Sequence, residues 1–190
     1  MVKGRLARAR GFGLIEILVS FVVSTVGLLG LAGLLLKGQQ AELEAYQRTQ
    51  ALMLVQDMVD RISANRRAAG CYGITLAGGE PYLGSAGLSN PTCNAWGTPQ
   101  MQDRAEADLT QWDQMLKGLA QLEGGSPSGA LIGARGCIRY DSANRRYSVT
   151  VAWQGLSETA PPADDCALGR YGQETQRRTL TLNGQIAELN

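Results

Sequence analysis

The chain of 190 residues contains no histidine. That removes the commonest side-chain general base, the Ser-His-Asp and Cys-His nucleophile arrangements, and most zinc ligand sets. None of its four cysteines stands in a C-x-x-C pair, so the close ligand pairs usual in zinc sites are missing too. The formal net charge is only +1, and no basic cluster follows the first ten residues, which argues against a nucleic-acid partner. The first proline is Pro81, so nothing upstream of it forbids one very long helix. Between Ile17 and Leu36 there is no charged side chain at all.

What is present sorts around that uncharged run. Lys3, Arg5, Arg8 and Arg10 precede it, and only Lys37 closely follows. As a helix the run spans ~30 Å, the thickness of a bilayer core. The excess of positive charge before it places the N-terminus in the cytoplasm and the remainder outside. A cleaved secretory signal would have a shorter apolar core with a small-residue cleavage site behind it. Here Lys37-Gly38-Gln39-Gln40 opens a polar helical pattern instead. All the cysteines, Cys71, Cys93, Cys137 and Cys166, lie beyond the run. An even number in an oxidising compartment reads as two disulfides. Arg66-Arg67, Arg145-Arg146 and Arg177-Arg178 are isolated pairs, read as solvated surface. Glu16, near the start of the apolar run, is out of place in lipid and reads as a functional residue awaiting a positive partner.

The residues Arg10-Gly11-Phe12-Gly13-Leu14-Ile15-Glu16 resemble the prepilin leader junction of type IV pilins and type II secretion pseudopilins. The resemblance implies that a prepilin peptidase and N-methyltransferase cuts between Gly11 and Phe12 and methylates the new N-terminal Phe12. It implies a discarded leader over 1–11, a helix half over 12–36 that serves first as membrane anchor and then as filament core, an amphipathic half over 37–70, and a periplasmic domain over 71–190. It also implies that Glu16 pairs with the N-terminal amine of a neighbouring subunit. A buried carboxylate needs such a partner, and the pairing fixes register between helices.

The rest of the chain has its own signals. Gly27, Gly30 and Gly33 recur every third residue, and in a membrane segment small residues let helices approach closely. Leu52, Val55, Val59 and Ile62 form one apolar stripe, with Met58 at its edge. Gly70 predicts a helix end near Ala69, and a helix from Phe12 to there would run ~87 Å. Residues 70–98 are rich in Gly, Ser, Pro and Asn and read as an irregular loop. Cys71 and Cys93 stand near its ends, so a bridge there would staple it and leave Cys137 for Cys166. Four cysteines permit three bond sets, and the sequence alone does not choose among them. Thr98-Pro99 predicts a cap and first turn for a helix through about Leu122. Leu109, Trp112, Leu116 and Leu119 would share its face, and Gly124-Gly125 would close it. Ala130-Leu131-Ile132 and Gly136 to Tyr140 read as strand segments. Tyr147 to Trp153 alternates as a half-buried strand, Asp141 to Asn144 is a turn, and Thr179 to Leu182 is a later strand. The fold class expected is α+β, a pilin-like long N-terminal helix packed on a small antiparallel sheet.

A second resemblance lies in Asp57-Met58-Val59-Asp60-Arg61-Ile62-Ser63-Ala64-Asn65-Arg66, which is similar to the helix end of the PilV family of minor pilins. The Trp112 helix and the Arg139 to Trp153 hairpin are similar to that family as well. This implies a low-abundance subunit. It would join other minor pilins, and the major pilin, in an inner-membrane complex that initiates the pilus and sits at its tip, supporting twitching motility and adhesion. A minor pseudopilin shares the leader, Glu16 and helix, and is the alternative. Exposure of Trp96, Tyr82 or Leu83 would mark a partner surface, whereas burial would mean that they pack the loop onto the domain. No metal, cofactor or catalytic residue is expected; Asp164-Asp165 read as loop solvation rather than a Ca²⁺ site. Glu16→Leu is expected to keep membrane insertion and lose incorporation into filaments. Normal incorporation of that variant, measured on sheared filaments, would sink the pairing role.

Overall fold

The computed structural model describes residues 13–118, 122–123, 126–127 and 131–187. Helix α1 runs Leu14–Ala64 and is followed by a 3-10 turn at Arg66–Ala68 and the short helix α2 at Ala69–Tyr72. Strand β1 is Leu83–Gly84, helix α3 is Pro99–Leu116, and β2 and β3 are the two-residue strands Leu122–Glu123 and Ser126–Pro127. Strands β4 (Arg135–Asp141), β5 (Arg146–Gln154) and β6 (Arg177–Gln185) follow. The main sheet has the order β1-β4-β5-β6, antiparallel throughout; β2 and β3 pair with each other. The chain divides into two compact units, meeting between Glu42 and Leu43.

In the second unit, the residues of α1 that are fully buried are Ala51, Val55, Met58 and Ile62. Met58 is therefore central to the seam rather than at its edge, and Leu52 and Val59 are only half-buried. The steps of four, three and four residues keep one side of a 3.6-residue helix against the core. α1 stops at Ala64, before the expected glycine. Asn65 leaves helical geometry (φ −117°, ψ 40°), and its Nδ2 donates to Met101 O at 2.8 Å and to the Tyr72 hydroxyl at 3.2 Å. Chain beyond it stays helical as far as Tyr72, so Gly70 caps nothing. Its bare Cα lies under the Trp96 indole, where a Cβ would come within 2.2 Å of the ring.

α3 buries Ala105, Leu109, Trp112 and Leu116. It ends well before Leu122, because Gly118 takes φ 72°, the left-handed conformation that closes helices. Thr98 occupies the expected cap position, but its side chain makes no capping bond; its carbonyl instead accepts the Met101 and Gln102 N–H groups. Leu119, Gly124, Gly125 and Ala130 lie outside the described residues. Leu131 and Ile132 form a bend and turn rather than a strand, and the buried Leu131 joins the core from that bend. Trp112 locks three elements together. Its Nε1 donates to Leu54 O on α1 at 2.9 Å. Its ring edge rests on Gly136 of β4, where a Cβ would approach to 2.3 Å.

The inner face of the sheet carries Ile138, Val149 and Val151 into this core. Its outer face is covered too, by the segment after β5. Tyr82, Cys137, Ala152, Cys166, Ala167 and Tyr171 form a second apolar cluster there. Arg177, expected on the surface, is 1% exposed. It gives Nε to Glu174 at 2.5 Å and Nη1 to the carbonyls of Asp164 and Cys166 at 2.6 and 3.2 Å. A guanidinium with several fixed oxygen partners can be buried without a net loss that a single partner would leave.

A latch far apart in sequence joins α1 to the far side of the sheet. Glu44 Oε1 accepts the Ser157 N–H at 2.9 Å and the Ser157 hydroxyl at 2.5 Å. Arg178 Nη2 stands 3.7 Å from the same oxygen. The Ser157 hydroxyl, aided by its N–H and by Arg178, holds the Glu44 carboxyl below the usual carboxylate range.

Two outcomes test this packing. Trp112→Ala should cost about 3–5 kcal/mol, the range for emptying a large aromatic site, read by chemical denaturation of the detergent-solubilised chain. For Glu44 the folded-state pKa is depressed, so its contribution is complete above the unfolded value of about 4.3. It is lost as pH falls through the lower folded value. Glu44→Gln should therefore unfold at lower temperature than the parent at neutral pH, and the gap should close on acidification.

Candidate functional site

The expected processing and assembly residues fall at the start of the first unit. Gly11 and Phe12 lie outside the described residues. Glu16 sits in the first turn of α1, where its N–H donates to Gly13 O at 3.0 Å and its carbonyl accepts the Ser20 hydroxyl at 2.7 Å. Those bonds occupy its backbone alone. Among the described residues no group pairs with its carboxylate. Every described residue from Gly13 to Glu42 is exposed, and Leu14, Phe21, Leu29 and Leu34 are among the most exposed apolar side chains. Gly27, Gly30, Gly33 and Gly38 have no atom near the space a Cβ would fill. The helix is long and apolar enough to cross a membrane. An apolar helix exposed on all sides fits lipid or other helices as its surroundings, and the small residues leave room for close approach.

In the second unit the four cysteines form two bridges, Cys71–Cys93 and Cys137–Cys166. The first joins α2 to the loop ahead of α3. The second joins the middle of β4 to the segment that covers the outer sheet face. Of the three aromatic and apolar loop residues singled out in the sequence, Tyr82 and Leu83 are buried and pack the loop onto the domain. Trp96 is 40% exposed, with its ring edge-on to Tyr140 at 5.8 Å. Trp96, Leu88, Pro91 and the Cys71–Cys93 bridge line a groove of about 410 Å³.

Beneath this loop lies a polar cluster with no single sequence signature. Asp108 of α3 accepts Arg61 Nη1 at 3.0 Å and the Tyr72 hydroxyl at 2.6 Å. Arg61 also gives Nε to Asp57 at 2.7 Å and Nη1 to Gln111 at 2.6 Å. Burial and the bond to Asp108 push the Tyr72 phenol well above its ordinary value. A hydroxyl that keeps its proton and has both its donor and acceptor roles filled is structural. The Asp57-to-Asn65 stretch was visible as a pattern, but only the fold brings Tyr72 and Asp108 to it. Asp164 and Asp165 are likewise engaged, both as ion-pair partners of Arg139. Thr150 Oγ1 donates to Asp164 at 3.2 Å, and Gly78 N–H to Asp165 at 3.0 Å. Among the described residues, no three His, Cys, Asp or Glu side chains converge as a metal set.

Two family models match the chain. Residues 6–32 match the prokaryotic N-terminal methylation motif, and residues 33–109 match the family described as type IV pilin Tt1218. Comparison with curated proteins and with solved structures gives no match. The methylation motif carries the Gly11-Phe12 junction and Glu16. The pilin model covers the rest of α1, the stapled loop and the first part of α3. The motif implies processing by a prepilin peptidase, and with an apolar helix long enough to cross a membrane it suggests a membrane-anchored pilin. The chain thus carries a prepilin N-terminal methylation motif joined directly to a type IV pilin domain.

Proposed function

We propose that the protein is a minor pilin of the PilV type, a structural subunit that helps initiate type IV pilus assembly and is carried at the pilus tip. The observation that supports this most is the Glu16 carboxylate, which has no partner among the described residues, on an exposed apolar helix, within a methylation motif that leads into a pilin domain. Cleavage follows Gly11, and Phe12 becomes the methylated N-terminus. Residues 12–36 hold the subunit in the inner membrane and later line the filament core. Residues 37–70 form the spine of the domain, and residues 71–190 face the periplasm. Glu16 meets the amine of a neighbouring subunit during assembly, and the partners are other minor pilins and the major pilin. In this role the protein supports twitching motility and adhesion without catalysing a reaction.

The pseudopilin alternative shares every one of these N-terminal features and differs in phenotype. Mass spectrometry of the mature chain should find a methylated N-terminus at Phe12. Single cysteines placed along 12–62 should cross-link to other minor pilins in membranes. Deletion should abolish piliation and leave protein secretion intact. A functional pilus whose subunit begins at Met1 would sink the reading, and loss of secretion with normal pili would move the protein to the secretion class.

A further inference from the structure

The three tryptophans of the chain are not placed alike. Trp112 and Trp153 are buried, whereas Trp96 stands open on the loop. An indole is a large apolar surface to leave in water, yet the fold fixes it there. The ring is seated on Gly70, whose missing Cβ makes the room. The segment that carries it is anchored by the Cys71–Cys93 bridge. It is anchored again by the Cys93 N–H, which donates to Glu106 Oε1 of α3 at 2.7 Å. Upstream, Leu88 N–H closes back on Tyr82 O at 2.7 Å. The groove beside the indole is therefore shaped before anything enters it.

That groove has a definite chemistry. Its volume of about 410 Å³ is within the range of small-molecule sites, and none of the residues lining it carries a charge. Asn90, Thr92 and Asn94 contribute two carboxamides and a hydroxyl, all on exposed residues. None of these three side chains has a hydrogen-bond partner among the described residues. A carboxamide both donates and accepts, so the wall matches a ligand that does the same. Apolar surface is scant. Leu88 and Trp96 are exposed, but Ile74 is half-buried and Pro91 is buried.

These properties select among ligand classes. A nucleic-acid strand or an acidic glycan calls for cations, and the lining has none. A docked helix or extended peptide calls for a row of apolar anchors or a free strand edge, and the lining offers neither. A neutral pyranose carries polarised C–H groups on one face, which suit the negative face of an aromatic ring. Around its rim it carries hydroxyls that donate and accept. We propose that the groove between Trp96 and Asn90 is a binding site for a short neutral oligosaccharide. One pyranose lies against the indole, and its hydroxyls and those of the next sugar bond to Asn94 and Thr92. Because the loop is already held, binding costs little ordering of the protein. This deepens the adhesive part of the pilin reading and rests on that reading for its setting on the pilus.

The test uses the full chain in a detergent without a sugar headgroup. The probes are neutral trisaccharides of glucose, galactose, mannose and N-acetylglucosamine. Trp96 is the one indole open to acrylamide, because Trp112 and Trp153 are buried, so collisional quenching of the fluorescence reports on it. At about 10 mM, at least one of these probes should lower the quenching about twofold, as near-saturation at a Kd of about 1 mM requires. The double variant Thr92→Ala with Asn94→Ala keeps the indole, its seat and the bridge. It should bind about tenfold more weakly, the effect of losing one or two hydrogen bonds. The proposal is overturned if no trisaccharide of the set changes the quenching, or if the double variant binds as the parent does. It is also overturned if the ring is protected only by a sulfated oligosaccharide or by a proline-rich peptide. Neither the mature N-terminus nor piliation enters this readout, so its failure is distinguishable from failure of the pilin reading.

Discussion

The carboxylate of Asp108 is a junction for three helices. It lies on α3, accepts Arg61 from the end of α1, and accepts the Tyr72 hydroxyl from α2. Tyr72 in turn receives Asn65, at the point where α1 gives way to the 3-10 turn. Each member is held by another, and the net charge of the pair is shared across several hydrogen bonds. Such a network, when fully satisfied, fixes one arrangement, because any slip leaves a buried polar group unpaired. α2 also bears Cys71, which anchors the loop, and α3 bears Trp112, which seats on β4. The position of the loop and of the sheet against the spine thus follows from where Asp108 holds the three helices.

Around that junction the sheet is a middle layer. Its inner face meets α1 and α3, and its outer face meets the segment bridged by Cys166. The outer cover is tied in three unlike ways: by the covalent bond to Cys137, by the carbonyls gathered on Arg177, and by Asp164 and Asp165 on Arg139. A small domain with a thin core gains from such ties, because little apolar area is available to order a connection this long.

Elements with strict local period were legible in the sequence. The alternation from Tyr147 to Trp153 gave a strand that the structure extends by one residue at each end, and the uncharged run gave the exposed half of α1. The α+β class followed from those two together. What the sequence concealed depends on distant partners. Met58 outranks Leu52 in the seam because the sheet and α3 select the face, and periodicity alone left the stripe's centre uncertain by about one residue. The helix end moved from Gly70 to Asn65 because the Asn65 amide finds Met101 and Tyr72, a choice invisible to a local cap rule. Arg177 sits among carbonyls supplied by residues several positions upstream, so its doublet looked like solvated surface. Glu44 and Ser157 meet across most of the domain, and neither residue type signals a partner at that distance. Of the candidate site, Glu16 could be singled out by its mismatch with its neighbours, whereas the polar cluster under the loop could not.

The Cys71–Cys93 bridge has a consequence for how this surface can diverge. A loop whose two ends are joined covalently does not rely on its interior sequence to stay attached. Tyr82, Leu83 and Pro91 remain as buried pegs, but Ser85 to Asn90, between them, carry no such duty in the core. Apart from Gly87, where a Cβ would run into the Tyr82 carbonyl at 2.5 Å, that stretch can be rewritten while the spine and sheet keep their shape. Novelty in recognition is thereby confined to a short replaceable cassette, and a lineage of such subunits can change what it touches without relearning how to fold.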